Sequence, residues 1–478
     1  MKKLRYFLLV LVLIPCALLF TGCFNDSAYV TNIEKTQTLE NSDIYTVTYS
    51  DGSTSNFTVE NGKDGADAEK VSIEEIFNYL IELDPDLYTN DEAGFKEFLQ
   101  DYLTIEIEDN NEKTAINRAL LSAVSIYSEF PTYGSGISVG AGAGIIYKMN
   151  DDYSYIITNY HVVYYNNTTS TNKIARNIYA YLYGSDCDIT GTGNSQYVSS
   201  VEFGGDAIKC NYIGGSMTYD IAILRVNTND LLSVNENTRA VDIASGYEVG
   251  DTAIAIGNPE GDVVSVTKGI ISVDSESLVM EGADESTIIN FRVMRIDTAV
   301  NGGNSGGGLF NDKGELIGIV NAKLVYASDG SPIDNMSYAL PFDNVTRVAD
   351  NIIDSFETTN ETNIKVKKLV LGVSIDCANR QNIYNPITGE STIYDKAVIV
   401  SVNSNSIASS NNLQEGETFV GITINGERQD FTRYYDLENA LLTIREGDNV
   451  QLHLETENFV EVTADLGIIS SDMLQSVV

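Results

Sequence analysis

The sequence predicts a mainly β protein: a large all-β sandwich or barrel, a smaller α+β domain behind it and a small helical and β spacer in front. Three observations carry this. From Ala119 onward, short apolar runs alternate with Gly, Asn and Asp at the spacing of many short strands, not of a parallel α/β sheet. With 43% hydrophobic and 20% charged residues, the 478-residue chain is globular in composition and long enough for two or three domains. One polar stretch, Phe356 to Glu361, marks the clearest break between them. Lys and Arg number 29 against 68 Asp and Glu, a net charge of −39. Such a surface repels phosphates, which argues against nucleic-acid binding as the main role.

At the N-terminus, a basic start (Lys2, Lys3, Arg5) precedes an apolar run from Tyr6 to Phe20 and then Thr21-Gly22-Cys23. The run is short for a bilayer span and reads as a secretory signal over residues 1–22. It resembles a bacterial lipoprotein signal, in which Cys23 would be lipidated and become the new N-terminus, although Phe20 stands where Leu is usual. An uncleaved anchor is the alternative; either way the bulk of the chain lies on the extracytoplasmic face of the cell membrane. Residues 23–112 form the spacer. Ile44 to Val59 alternates around Asp51-Gly52 and predicts a β-hairpin, followed by a turn at Asn61 to Gly65. A capping box, Ser72 with Glu75, opens a helix carrying Ile73, Ile76, Phe77, Leu80 and Ile81 that stops at Asp84-Pro85. A second helix is expected from Asp91 to Leu103.

Residues 113–355 form the large β domain, with strands expected at Ala123 to Phe130, Gly144 to Lys148, Tyr155 to Thr158, Ile178 to Tyr183, Ile221 to Val226 and Thr252 to Ile256. Residues 166–200, rich in Asn, Thr, Ser and Gly, read as a long polar loop, and Asp343 to Ile353 as a helix. A linker at 356–365 leads to the last domain, 366–478. There Val370 to Ser374, Ala397 to Val402, Phe419 to Ile424 and Val450 to Glu455 read as strands and Leu437 to Leu442 as a short helix.

Five cysteines occur, Cys16, Cys23, Cys187, Cys210 and Cys377, and only the last three remain for chemistry beyond the signal. A Cys187 to Cys210 disulfide and free buried thiols are both open readings. With no CxxC and only two histidines, His161 and His453, zinc sites of the usual types are excluded, and there is no phosphate-binding glycine loop. No metal and no organic cofactor is expected.

Gly302-Gly303-Asn304-Ser305-Gly306-Gly307 lies between two apolar runs. A serine among glycines can sit on a tight turn where the N–H groups of Gly303 and Ser305, with Asn304 as a further candidate, converge on an oxyanion. Alone, such a run is usually only a turn. The hydroxyl needs a base, so His161, at the end of Tyr155 to Tyr160, or His453 must serve. His453, in an alternating strand beyond the linker, reads as an exposed strand residue. Asp220, opening Asp220-Ile221-Ala222-Ile223-Leu224, could hold the imidazole or be a solvated carboxylate at a strand start.

Together these segments resemble the HtrA/Deg group of chymotrypsin-fold serine endopeptidases. The histidine lies in Thr158-Asn159-Tyr160-His161-Val162-Val163, the aspartate opens an Asp-Ile-Ala strand and Ser305 lies in Gly-Asn-Ser-Gly-Gly, in the order His, Asp, Ser. Flanking matches are Gly257-Asn258-Pro259, Thr267 to Ser272, Asp297 to Asn301, Gly314 to Ile319 and Tyr338 to Pro341. The resemblance covers about Ala119 to Asn351 and implies a double β-barrel with His161, Asp220 and Ser305 as catalytic triad. By their offsets from Ser305, Ala299 and Val300 would lie at the base of the specificity pocket and Ile319, Val320 and Asn321 along its wall. With no acidic residue at the base, small or medium aliphatic residues would be preferred. Gly302 and Gly308 replace the usual prolines, which predicts a softer catalytic loop. The His161 to Asp220 separation is also long, and the 166–200 insertion would absorb it.

Past the linker, Val370-Leu371-Gly372-Val373 resembles the carboxylate-binding loop of a PDZ domain, and Leu413 to Gly416 with Ile422 to Gly426 fits the permuted PDZ pattern of that group. An extra stretch near 376–395 and Glu417 in place of Asp depart from it. Such a domain would take a peptide C-terminus by strand addition, with Leu371, Gly372 and Val373 on its carboxylate. The resemblance thus implies a lipid-anchored endopeptidase acting on unfolded or damaged exported polypeptides, and trimers are common in the group. The rival reading is a non-catalytic, protease-shaped binding lipoprotein that presents the PDZ-like domain.

Overall fold

The computed structural model describes residues 30–38, 42–49, 54–60 and 112–477, apart from 195–196, 262–263, 322–335 and 387–390. The signal, Cys23, the turn at 61–65 and the two helices expected from Ser72 and Asp91 lie outside the described residues. The chain divides into two compact units, Met1–Ile107 and Glu108–Val478. In the first, β1 (Val30–Thr38), β2 (Ser42–Tyr49) and β3 (Thr54–Glu60) form an antiparallel sheet in that order. Thr48 pairs with Thr54, so the hairpin expected around Asp51-Gly52 is present and β1 adds a third strand to it.

The second unit opens with α1 (Glu112–Leu120), then β4 (Ala123–Pro131), β5 (Ile137–Met149), β6 (Tyr153–Thr158), α2 (Tyr160–Val163) and β7 (Asn177–Leu182). There follow β8 (Ile189–Asn194), β9 (Tyr197–Phe203), β10 (Ile208–Ser216), β11 (Ile221–Asn227) and α3 (Thr228–Val234). Six of these strands run β4-β7-β10-β11-β6-β5, and β5 returns to β4, closing a barrel. A second closed barrel, β12-β13-β14-β17-β16-β15, is built from β12 (Thr252–Gly257), β13 (Ser265–Glu281), β14 (Ile288–Ile296), β15 (Gly308–Phe310), β16 (Leu316–Asn321) and β17 (Ser337–Pro341). Closure removes the edges that open sheets expose. The apolar runs supply the cores: Ile156, Ile157 and Ile221 to Leu224 are fully buried, each large side chain contributing about 1.5–3 kcal/mol.

After the barrels come α4 (Phe342–Thr359), β18 (Val366–Leu369), β19 (Val373–Tyr384), β20 (Ser391–Val402), α5 (Ile407–Ser410), β21 (Thr418–Ile424) and β22 (Glu427–Asp430). The chain ends in α6 (Asp436–Thr443), β23 (Asn449–Glu455), β24 (Glu461–Ile468) and β25 (Leu474–Val477). The last sheet runs β19-β20-β21-β23-β24 with β22 beside β21, and β18 pairs with β25.

Four expectations are corrected. Residues 166–200 are not one loop: besides the strand expected at Ile178 to Tyr183, which is present as β7, they hold most of a β8–β9 hairpin that joins the first barrel's sheet at β5. The helix expected to stop at Ile353 runs to Thr359, because Phe356 continues the buried stripe of Val345, Val348, Ala349, Ile352 and Ile353. It ends where Asn360 turns left-handed and its N–H bonds Phe356 O at 2.7 Å. The strand expected at Val370 to Ser374 is interrupted by a turn, since β18 stops at Leu369 and β19 starts at Val373. His453 is buried, not exposed, because β23 lies between β21 and β24, and its ring contacts Thr423 Oγ1 at 2.7 Å.

Candidate active site

Where β6 ends, buried Asn159 leads into α2. Its Nδ2 donates to Asp220 O at 2.8 Å, and the Tyr160 N–H donates to the same oxygen at 3.1 Å. These bonds tie the start of α2 to the corner before β11. Asp220 stands at that corner in a left-handed conformation, φ 50°, which Asp tolerates better than most residues. Its carboxylate faces back: Oδ1 accepts the His161 N–H at 3.0 Å, and Oδ2 lies 2.7 Å from His161 Nδ1. An ionised carboxylate only accepts, so this contact puts the proton on Nδ1 and leaves Nε2 free to take one. Asp220 is 3% exposed, whereas the His161 side chain is 24% exposed and open to a reactant.

Ser305 belongs to the second barrel. Its carbonyl accepts the Ala143 N–H of β5 at 2.8 Å, and the Gly306 N–H donates to Val320 O of β16 at 3.0 Å. Gly306, at φ 84°, has no room for a Cβ, which would fall 2.3 Å from Ala143 O and from Thr158 Oγ1. The serine segment is thus pressed against the end of β6, just ahead of His161. Asn301 to Asn304 form a tight turn closed by Asn304 N–H to Asn301 O at 3.1 Å, with Gly303 at φ 95°. That bond uses the Asn304 N–H, so of the three expected oxyanion donors Asn304 is withdrawn and Gly303 and Ser305 remain. Asn258 steadies the turn from behind: its N–H donates to Gly303 O at 3.3 Å and its Nδ2 to Tyr127 Oη at 3.2 Å. Tyr160, next to His161, stacks on Tyr164, and burial, with Tyr164 and Asp284 nearby, pushes its hydroxyl up to about 12, so it stays neutral.

The pocket expectation needs revision. Ala299 is exposed and Val300 half-buried, compatible with an open depression. Ile319 and Val320 are fully buried in two different cores, so their side chains cannot form its wall. Asn321, at the end of β16, instead donates through Nδ2 to Asp220 Oδ2 at 3.0 Å. It is a site residue with a role that sequence reasoning missed, and its only signal was an amide closing an otherwise apolar strand. Gly308 is also explained by packing: a Cβ there would lie 2.5 Å from the Phe310 ring.

In the last domain, Leu371 is in the core and its carbonyl accepts the Ala408 N–H at 2.8 Å. Gly372 turns at φ 76° against Ser406, and Val373 opens β19, which is the edge strand of its sheet among the described residues. Cys187, Cys210 and Cys377 are all free, and burial pushes the Cys210 thiol up to about 12. Among the described residues no cluster of three His, Cys, Asp or Glu side chains is placed to hold a metal ion.

Residues 134–319 match the family described as Trypsin-like peptidase domain. The chain is 27% identical over 318 residues to Serine protease Do-like HtrA of Lactococcus lactis subsp. lactis (strain IL1403), covering 65% of this chain and 66% of that one. It is 28% identical over 216 residues to Serine protease Do-like HtrA of Bacillus subtilis (strain 168), covering 45% and 39%. A solved structure, HtrA-type protease AlgW with decapeptide, aligns over 75% of this chain at 21% identity and a TM-score of 0.45. The chain spans about two thirds of the Lactococcus relative and well under half of the Bacillus one.

Proposed function

We propose that this chain, a serine protease of the HtrA family, is an endopeptidase that cuts polypeptides through an acyl-enzyme. The observation that carries the reading is the His161 Nδ1 to Asp220 Oδ2 contact of 2.7 Å, with Ser305 held against the same end of β6. Ser305 Oγ attacks the scissile carbonyl while His161 Nε2 takes its proton; Asp220 holds the ring and stabilises the imidazolium. The N–H groups of Gly303 and Ser305 donate to the developing oxyanion. His161 then returns the proton to the leaving amine, and a water repeats the sequence on the ester. Ser305→Ala should abolish casein hydrolysis, His161→Ala should match it, and His453→Ala should change little. A contaminant-free Ser305→Ala protein cleaving at the parent rate would contradict the mechanism.

The finer reading is an enzyme anchored by lipidated Cys23 outside the cytoplasm, acting on unfolded exported polypeptides, with a PDZ-like last domain that takes peptide C-termini. The N-terminal sequence supports the anchor, and the edge position of β19 among the described strands, beside the Gly372 turn, supports strand addition. Metabolic labelling with a fatty-acid analogue tests the anchor: Cys23→Ser should lose the label, and retained label would refute it.

A further inference from the structure

A groove of about 820 Å³ opens between the segment 169–176, strand β10 and the turn 360–363 that follows α4. It contains none of His161, Asp220 and Ser305. Of its nineteen lining residues three are basic, Arg176, Lys209 and Arg225, and none is acidic, in a chain whose acidic residues outnumber its basic ones 68 to 29. Arg176 is neutralised by Glu129 beside the groove, but Lys209 and Arg225 make no ion pair among the described residues. The Arg225 guanidinium carbon lies over the Tyr153 ring, 3.3 Å from its centre, and 5.3 Å from the centre of the Phe356 ring. Stacking restricts the guanidinium without neutralising its charge. Two donors here are buried and unpartnered, Arg225 Nε and Ser170 Oγ. An unmade bond of that kind is costly unless something completes it.

The wall is held in place. Ala175 N–H donates to Val163 O at 2.9 Å, Thr169 N–H to Pro131 O at 2.8 Å, and Lys173 Nζ to Thr168 O at 2.9 Å. On the far side, Ile364 bridges to β10 through Ile364 N–H to Ile213 O at 2.9 Å. Hydroxyls and amides of Ser170, Thr171, Asn172, Asn360, Thr362 and Asn363 line both sides. They offer donors and acceptors together, which suits a peptide backbone better than a phosphate, which only accepts.

We propose that this groove binds an acidic stretch of a polypeptide, with side-chain carboxylates on Arg225 and Lys209. It would give the proposed endopeptidase a second hold on acidic substrates, and it rests on that reading only for the polypeptide's fate, since binding is measured apart from cleavage. The test is fluorescence anisotropy of labelled hexaglutamate on the full-length protein, with hexaglutamine and a phosphoserine hexapeptide alongside. Hexaglutamate should bind more tightly than hexaglutamine. Arg225→Gln and Lys209→Gln should each weaken it about tenfold, the size of a charge-assisted hydrogen bond. Ser305→Ala should bind as the parent does, so a failed catalytic reading leaves this result intact. Lys209 is exposed, so Lys209→Gln should fold normally and leave turnover of a small neutral peptide unchanged. Equal binding of hexaglutamate and hexaglutamine, or parent-like affinity in Lys209→Gln, would overturn the proposal. So would tight binding of the phosphoserine peptide with none of hexaglutamate, which would reassign the groove to phosphate.

Discussion

Asp220 receives hydrogen bonds from both barrels: from His161 on α2 and from Asn321 at the end of β16. Asn321 is 1% exposed, so its bond to the carboxylate is made out of water, where hydrogen bonds to charged groups are worth about 1.5–3 kcal/mol. Asn321→Ala should therefore lower kcat/KM about tenfold or more by loosening the carboxylate that orients His161, with circular dichroism unchanged; unaltered kinetics would deny Asn321 a positioning role. The sequence order of His161, Asp220 and Ser305 was readable because each lies in a local motif. The Asn321 contact was not readable, because it depends on where a strand of one barrel ends relative to a corner of the other. The same holds for the Asn304 N–H, whose availability is decided by one turn bond.

At the level of elements, the loop expected to be soft is a turn with a defined type. Gly303 alone has positive φ, at the third of its four residues, and Asn304 N–H closes it on Asn301 O, as in a type II turn. Proline suits the second position of that turn, and Gly302 has open space around its missing side chain. Gly302→Pro should raise stability by about 0.4–1 kcal/mol, seen as a higher denaturant midpoint, with hydrolysis retained. A lower midpoint would mean that position 302 does not hold the second-residue conformation. Strands with clean apolar runs, such as β6 and β11, were legible from sequence to within about two residues. The β8–β9 hairpin was not, since Ile189–Asn194 carries Thr, Gly and Asn in the pattern of a loop and only its pairing with Tyr197–Phe203 makes it a strand.

Across the whole second unit, the last domain is bound to the barrels through charge and aromatic contacts. Arg433, ahead of α6, reaches Asp274 of β13 at 2.5 Å and Asp395 of β20 at 3.2 Å. Arg292 of β14 pairs with Asp343 of α4 and lies 3.8 Å from the centre of the Tyr435 ring, while Asn439 donates to Asp343 at 2.6 Å. Tyr219 and Lys368 both bond Glu438, at 2.7 and 2.8 Å. Burial opposes ionisation of Glu438, but Lys368 and the two hydrogen bonds prevail and hold its carboxyl below the usual range. Its contribution is thus present above the ordinary glutamate range and fades as pH falls through the lowered value. Arg433→Ala should cost about 3 kcal/mol and lower the melting temperature, because it removes the nearer cation from two buried carboxylates, Asp274 and Asp395, and leaves them only the more distant Arg380, at 3.8 and 4.0 Å. An unchanged melting temperature would make the contact incidental. In the proposed mechanism one serine, activated by one histidine, carries the chemistry. Treatment of the full-length protein with a serine-directed phosphonate, followed by mass mapping of the adduct, tests it most directly. A single adduct on Ser305, lost in His161→Ala, is expected; an unmodified protein, or an adduct elsewhere that forms equally well without His161, would refute the mechanism.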